Sequence, residues 1–210
     1  MFNFTEPLRD DLSTKYYECY AKVVLEALYP EEFIDLKLKD KPDLQMGNGE
    51  CGIEVVISED KKDLEAESLY SKIEYNKIRN KAKAIKKIEK LGSRYQNGSL
   101  SSSGIDSFDL IFESFNDKLD KLNRGEYADF NWNYLFTYSS ITADDRMIRE
   151  AIQVMQLIQA SKERKFYKVF ILVPGALYCL DLYNDCYEIK LIDYTLQFNQ
   201  SSKARVIAES

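Results

Sequence analysis

Apolar residues at Tyr16, Tyr20, Val23, Val24, Ala27 and Leu28 recur at helical spacing, so residues 12–29 are expected to form an amphipathic helix that Pro30 closes. Residues 33–38 and 41–46 read as short strands, the second opening at Pro42, and 52–58 is a β-branched third strand. Gly47, Asn48 and Gly49 punctuate a turn between the last two, which makes them a hairpin. The stretch 61–91 is polar with a sparse apolar stripe (Leu64, Leu69, Ile73, Ile78, Ile85, Ile88) and is expected to be one long helix capped by Gly92. Residues 93–104 are Gly- and Ser-rich and read as a loop, followed by a helix over 107–122.

Residues 132–138 form an aromatic strand in this reading, and Tyr127, Phe130, Trp132, Tyr134, Phe136 and Tyr138 are assigned to the core and one strand face. Thr142 caps a helix over 143–161, with Asp144 and Asp145 at its positive dipole end and Ile148, Ile152, Met155 and Ile158 as its core stripe. The near-continuous apolar run 166–173 predicts a central strand covered on both faces, and 176–182 with 187–192 predicts a closing hairpin. The order α-β-β-β-α-α-β-α-β-β-β predicts one α/β domain over 1–210 with a central mixed sheet flanked by helices.

Composition narrows the chemistry. At 210 residues, 45% hydrophobic and 30% charged, the chain supports one sizeable core. No apolar run reaches the roughly 20 residues of a membrane span, and MFNFTEPLRDD lacks signal-peptide features, so a cytoplasmic protein without a membrane partner is expected. Cys19, Cys51, Cys179 and Cys186 form no CxxC pair, which argues against structural zinc and a disulfide framework. A turn at Asn184-Asp185 would set Tyr183 opposite Cys186, so the cysteines read as buried thiols. Histidine is absent, which removes Ser-His-Asp and Cys-His mechanisms and nearly every catalytic zinc site. Neither a G-x-G-x-x-G fingerprint nor a Walker A loop is present.

The segment from Lys41 to Val56, KPDLQMGNGECGIEVV, sets Glu54 inside an apolar strand, where a charge is costly to bury uncompensated. Across the hairpin, Asp43 can face the same side near the same end. The two carboxylates, with the Val55 carbonyl, would then hold one hard divalent cation. These residues resemble the PD-(D/E)XK nuclease superfamily, in which Pro-Asp ends one strand and (Asp/Glu)-X-Lys lies on the next. Pro42-Asp43 and Glu54-Val55 carry the resemblance, which covers about residues 12–73 and extends weakly through the later strand-helix-strand.

The resemblance implies a restriction-endonuclease-like fold, Mg²⁺ or Mn²⁺ as cofactor and phosphodiester hydrolysis. Glu18, on the opening helix, is the counterpart of a further metal-ligating Glu. On the helical wheel, however, it falls with Lys15, Lys22 and Glu26, where it would simply pair with Lys22. Val56 stands where the motif lysine belongs. Lys41 and Lys72 are the two possible substitutes, and Lys72 joins Asp43 and Glu54 in the candidate catalytic set; the alternative is a catalytically inactive scaffold that binds nucleic acid or a protein.

Net charge is −6, yet residues 72–94 hold nine basic residues against Glu74 and Glu89, a local +7 that leaves −13 on the remainder. Lys77, Arg79, Lys83, Lys86, Lys87, Lys90 and Arg94 are therefore candidates to track DNA or RNA phosphates, with Tyr75 and Tyr95 as base-stacking rings. A solvated helix face, or docking on an acidic protein surface, would use the same charges. The sequence is compatible with a homo-oligomer but does not indicate one.

Overall fold

Cys19, Tyr20, Ala21, Val23, Val24 and Leu25 are the buried face of the first helix, α1 (Ser13–Leu28), which follows a 3-10 turn at Asp10–Leu12. The computed structural model of the chain describes residues 4–101 and 106–210. Among these, α1 is followed by β1 (Leu36–Leu38), β2 (Leu44–Met46), β3 (Cys51–Ile57), α2 (Lys61–Glu74), α3 (Lys81–Lys90), β4 (Arg94–Gln96) and β5 (Ser99–Ser101). Then come α4 (Asp109–Asn123), β6 (Trp132–Tyr138), α5 (Asp145–Ile158), β7 (Phe166–Val173), β8 (Ala176–Asp181), β9 (Cys186–Leu191) and α6 (Tyr194–Glu209).

Seven strands make one mixed sheet in the order β1-β2-β3-β6-β7-β8-β9. The outer pairs are antiparallel, while β3, β6 and β7 run parallel. Parallel neighbours require crossovers, and helices supply them, so these central strands are buried on both faces. Tyr134, Phe136, Phe170 and Leu172 pack toward α1 and α6, whereas Leu135, Val169, Ile171 and Val173 pack toward α4 and α5. The result is a single α/β domain with helices on both sides of a mixed sheet, as the order of elements predicted. No helix of the described residues is long and apolar enough to cross a membrane.

The expected helix over 61–91 is instead two. Asn76 takes a left-handed φ of 54° while Lys77 N donates to Lys72 O at 2.8 Å, which ends α2; Asn80 then caps α3 by accepting from Lys83 N at 2.9 Å. Asn residues that read as neutral polar positions in a helix are therefore its break. Much of the expected loop 93–104 is a β4–β5 hairpin turning on Asn97 and Gly98, both at positive φ, as a two-residue hairpin turn requires; 102–105 lie outside the described residues. Ala66, Ile73, Ala84 and Ile88 give this insertion its own small apolar cluster.

Asp144, not Thr142, caps α5, accepting from Met147 N at 2.8 Å. The first two strands are shorter than expected, beginning at Leu36 and Leu44. Cys186 pairs across from Asp181 rather than Tyr183 and is exposed; Cys19, Cys51 and Cys179 are buried, and all four are free thiols. The unanticipated α6 is capped by Asp193 and buries Gln200, Ser202, Ala204 and Ala208, small and polar residues that give no apolar period.

Candidate active site

The register of the β2–β3 hairpin pairs Leu44 with Ile53 and Gln45 with Gly52, so the next position out sets Asp43 across from Glu54. There β2 ends and β3 continues. The Val55 N–H, which finds no strand partner on that side, donates to Asp43 Oδ2 at 2.8 Å. A residue's N–H and C=O leave a strand on the same edge, so the Val55 carbonyl faces the same gap. Gly52 permits this close approach: a Cβ there would sit 2.6 Å from Pro42 Cγ and 2.7 Å from Phe130 Cδ2.

The gap is a cavity of about 280 Å³ between the two helical layers. Ser13, Thr14, Tyr17 and Glu18 line it from α1, Asp43 and the 54–57 segment from the sheet, and Lys118 from α4. Glu54 is 6% exposed, and its Oε1 accepts from Lys118 Nζ at 2.6 Å while its Oε2 is buried with no hydrogen-bond partner. The Lys118 position follows from how α4 docks. Ser58 Oγ meets Ser114 Oγ at 2.8 Å and Thr137 Oγ1 at 2.7 Å, tying β3, α4 and β6 together through one buried hydroxyl chain. Four residues back along β3 is about 13 Å, four on along α4 only about 6 Å, and an extended lysine spans the difference.

Burial first, and then the charge of Glu54, raise the Asp43 carboxyl to a pKa of about 6. Glu18 is raised to about 7, again by burial first and then by Asp43 and Glu54. Three carboxylates thus share one cavity with Lys118 as the cation lining it. Tyr127, whose buried hydroxyl faces the Glu54 carboxylate, is pushed up by burial first and then by Glu54.

The oxygens suit a hard cation: the Glu54 and Asp43 carboxylates and the backbone oxygen at Val55. They would form only part of a shell, since among the described residues no three Asp, Glu or Cys side chains converge as a metal-holding group. Glu18 lines the cavity, and Lys22, its anticipated partner, pairs with Glu26 instead.

Lys72 is not in this cavity. It lines an adjoining cleft with Arg9, Glu67, Ser68 and Ser71, which shares Ser13, Tyr17 and Ile57 with the carboxylate cavity. Lys41 is exposed in the β1–β2 connection. Lys118 is the residue that sequence reasoning missed; α4 was anticipated, but nothing in its pattern distinguishes Lys118 from Lys121.

On the insertion, Lys77 pairs with Glu6 and Lys87 with Glu65, whereas Arg79, Lys83, Lys86, Lys90 and Arg94 are exposed without an ion-pair partner among the described residues. Tyr75 and Tyr95 are engaged within the chain: Arg205 Nη1 reaches Tyr75 Oη at 3.5 Å, while Tyr95 donates to Glu74 at 2.9 Å beneath the Lys81 ammonium. Comparison with protein-family models, curated proteins and solved structures finds no match to this chain.

Proposed function

We propose that the chain is a restriction-endonuclease-like, metal-dependent nuclease in which Lys118 takes the part of the motif lysine absent at Val56. The observation that carries this reading is the Lys118 ammonium 2.6 Å from Glu54, in a cavity that also holds Asp43. The order of elements agrees with it: an opening helix, three antiparallel strands, a helical crossover and a parallel fourth strand. Asp43, Glu54 and the Val55 carbonyl would hold Mg²⁺ or Mn²⁺, with Glu18 completing the shell through water. A cation held there would supply Lewis acidity, lowering the pKa of a water and offsetting charge on a phosphate. Lys118 would donate to the water or to a non-bridging phosphate oxygen, which orients the reactants and stabilises the developing negative charge. The unpaired cations of α3 and Arg94 approach the nucleic-acid backbone.

One observation favours a second reading. Lys118 already compensates Glu54, as a lysine would in a scaffold that binds nucleic acid without cleaving it. Calorimetric Mn²⁺ titration of the wild type, Asp43→Asn and Glu54→Gln, alongside cleavage assays on DNA and RNA, separates the two. The nuclease reading expects saturable Mn²⁺ binding lost in both variants, and cleavage abolished in Lys118→Met while that variant still binds Mn²⁺. Nucleic-acid binding without cleavage, indifferent to Mn²⁺ and to Asp43→Asn, establishes the scaffold.

A further inference from the structure

The sheet has two edges, and they differ. At one, β1 is three residues long and flanked by the Asp35–Lys37 ion pair, the kind of short, charged edge that resists adding another strand. At the other, β9 is six residues long, contains no proline and pairs with β8 in unbroken register. Its charged side chains do not guard it. Lys190 donates to Leu28 O at 2.8 Å with its ammonium over the Tyr29 ring, and Glu188 accepts from Tyr29 Oη at 3.1 Å, so both are drawn toward α1.

The free backbone groups of β9 can be assigned. Ile192 N donates inward to Gly175 O at 2.8 Å, and alternation then turns residues 190, 188 and 186 inward as well. Tyr187, Ile189 and Leu191 therefore present their N–H and C=O groups to the open edge. Ile189 and Leu191 are also exposed side chains, 39% and 83%, on the face opposite Glu188 and Lys190.

From this we infer that the occupant of the edge is a second copy of the chain, whose β9 pairs antiparallel with this β9 about a two-fold axis through Ile189. Antiparallel partners directly opposite must lie on the same sheet face, so the axis can pass through a residue but not between residues. With Ile189 on the axis, Glu188 stands opposite Lys190 of the second copy in both directions, and Tyr187 opposite Leu191. Shifting the axis to Glu188 would set Glu188 against itself, and shifting it to Lys190 would set Lys190 against itself. Like charges directly opposite disfavour both of those registers. The register through Ile189 also makes Ile189 and the Tyr187–Leu191 positions the hydrogen-bonded pairs, using the groups that face outward. The arrangement is isologous, so it closes as a dimer and extends no further along the sheet.

Sedimentation equilibrium on the full chain tests this, with thermal unfolding of each variant as a folding control. The wild type is expected to dimerise. Ile189→Pro removes an outward N–H without breaking a β8–β9 hydrogen bond and is expected to be monomeric while still unfolding in one cooperative transition. Leu191→Lys, which adds a guarding charge to the edge, gives the same result if proline disturbs the strand. Glu188→Lys is expected to weaken the dimer about tenfold or more, and the double reversal Glu188→Lys with Lys190→Glu to restore it. A wild type that is monomeric at every concentration overturns the inference. So does a dimer that survives both Ile189→Pro and Leu191→Lys.

Discussion

At the scale of single residues, the cavity beside β3 stores unfavourable charge. Glu54 is buried with one oxygen on Lys118, at a side chain itself only 18% exposed. Removing one member of such a pair leaves an uncompensated buried charge, which costs about 3–5 kcal/mol. Lys118→Ala is therefore expected to lower unfolding stability at neutral pH by about 3 kcal/mol, read from urea midpoints in the presence of chelator. Asp43 and Glu18 behave differently, because their pKa values are raised, to about 6 and about 7. The folded protein holds these protons to higher pH than the unfolded chain does. The stability they contribute is complete below about pH 4. It is lost as pH rises through about 6 for Asp43 and about 7 for Glu18. Thermal unfolding in chelator should thus show a melting temperature that falls between those limits, and Asp43→Asn with Glu18→Gln should flatten the slope. On the proposed reading Mn²⁺ would compete with the same protons, so its apparent affinity should climb as pH rises across the same interval.

At the scale of elements, the site exists because strands of unequal length meet. β2 stops after Met46 at one end and opens at Leu44 at the other, so β3 passes beyond it and leaves Val55 to the Asp43 side chain. The 42–43 turn approaches β3 at Gly52, where two rings occupy the space of a Cβ. A Pro42 ring closed within its turn and a packed Phe130 have little room to yield. Gly52→Ala is expected to cost about 1–3 kcal/mol as overpacking and to displace Asp43. Calorimetry on the same variant should show Mn²⁺ binding weakened even though no ligand has been changed. On the other side, the Ser114–Ser58–Thr137 chain holds α4 against β3 and β6, which delivers Lys118.

At the scale of the molecule, charge is divided between two bodies of structure. The insertion α2–α3–β4–β5 packs on its own apolar cluster and carries the basic run, whereas the sheet domain is acidic. Two of its cations are spent within the chain, Lys77 on Glu6 and Lys87 on Glu65. The exposed Lys83, Lys86 and Lys90 remain available for phosphates. Replacing these three with alanine should weaken DNA or RNA binding similarly across sequences and reduce the salt dependence of log K by about one unit per lost phosphate contact. Lys87→Ala should move that slope less. Fluorescence anisotropy over a salt series measures both.

What the sequence by itself determined was whatever depends on local periodicity. The β-branched and aromatic runs at 52–58, 132–138 and 166–173 place the three parallel strands within a residue, because central strands are apolar on both faces and these runs are short and rich in β-branched and aromatic residues. Asp43 and Glu54 were legible too, since a carboxylate in an apolar run and a Pro-Asp before a turn are local features that one hairpin brings together. The tertiary structure decided everything that depends on partners distant in sequence. Lys118 is one of two lysines on α4 until the docking of that helix sets it on Glu54, 64 positions away. Lys22 had two acidic neighbours at helical spacing, and it pairs with Glu26 while Glu18 lines the cavity. The helix break at Asn76 and the packing of α6 through small side chains likewise carry no hydrophobic signal. An apolar period records which face is buried; it does not record which polar groups that burial forces together.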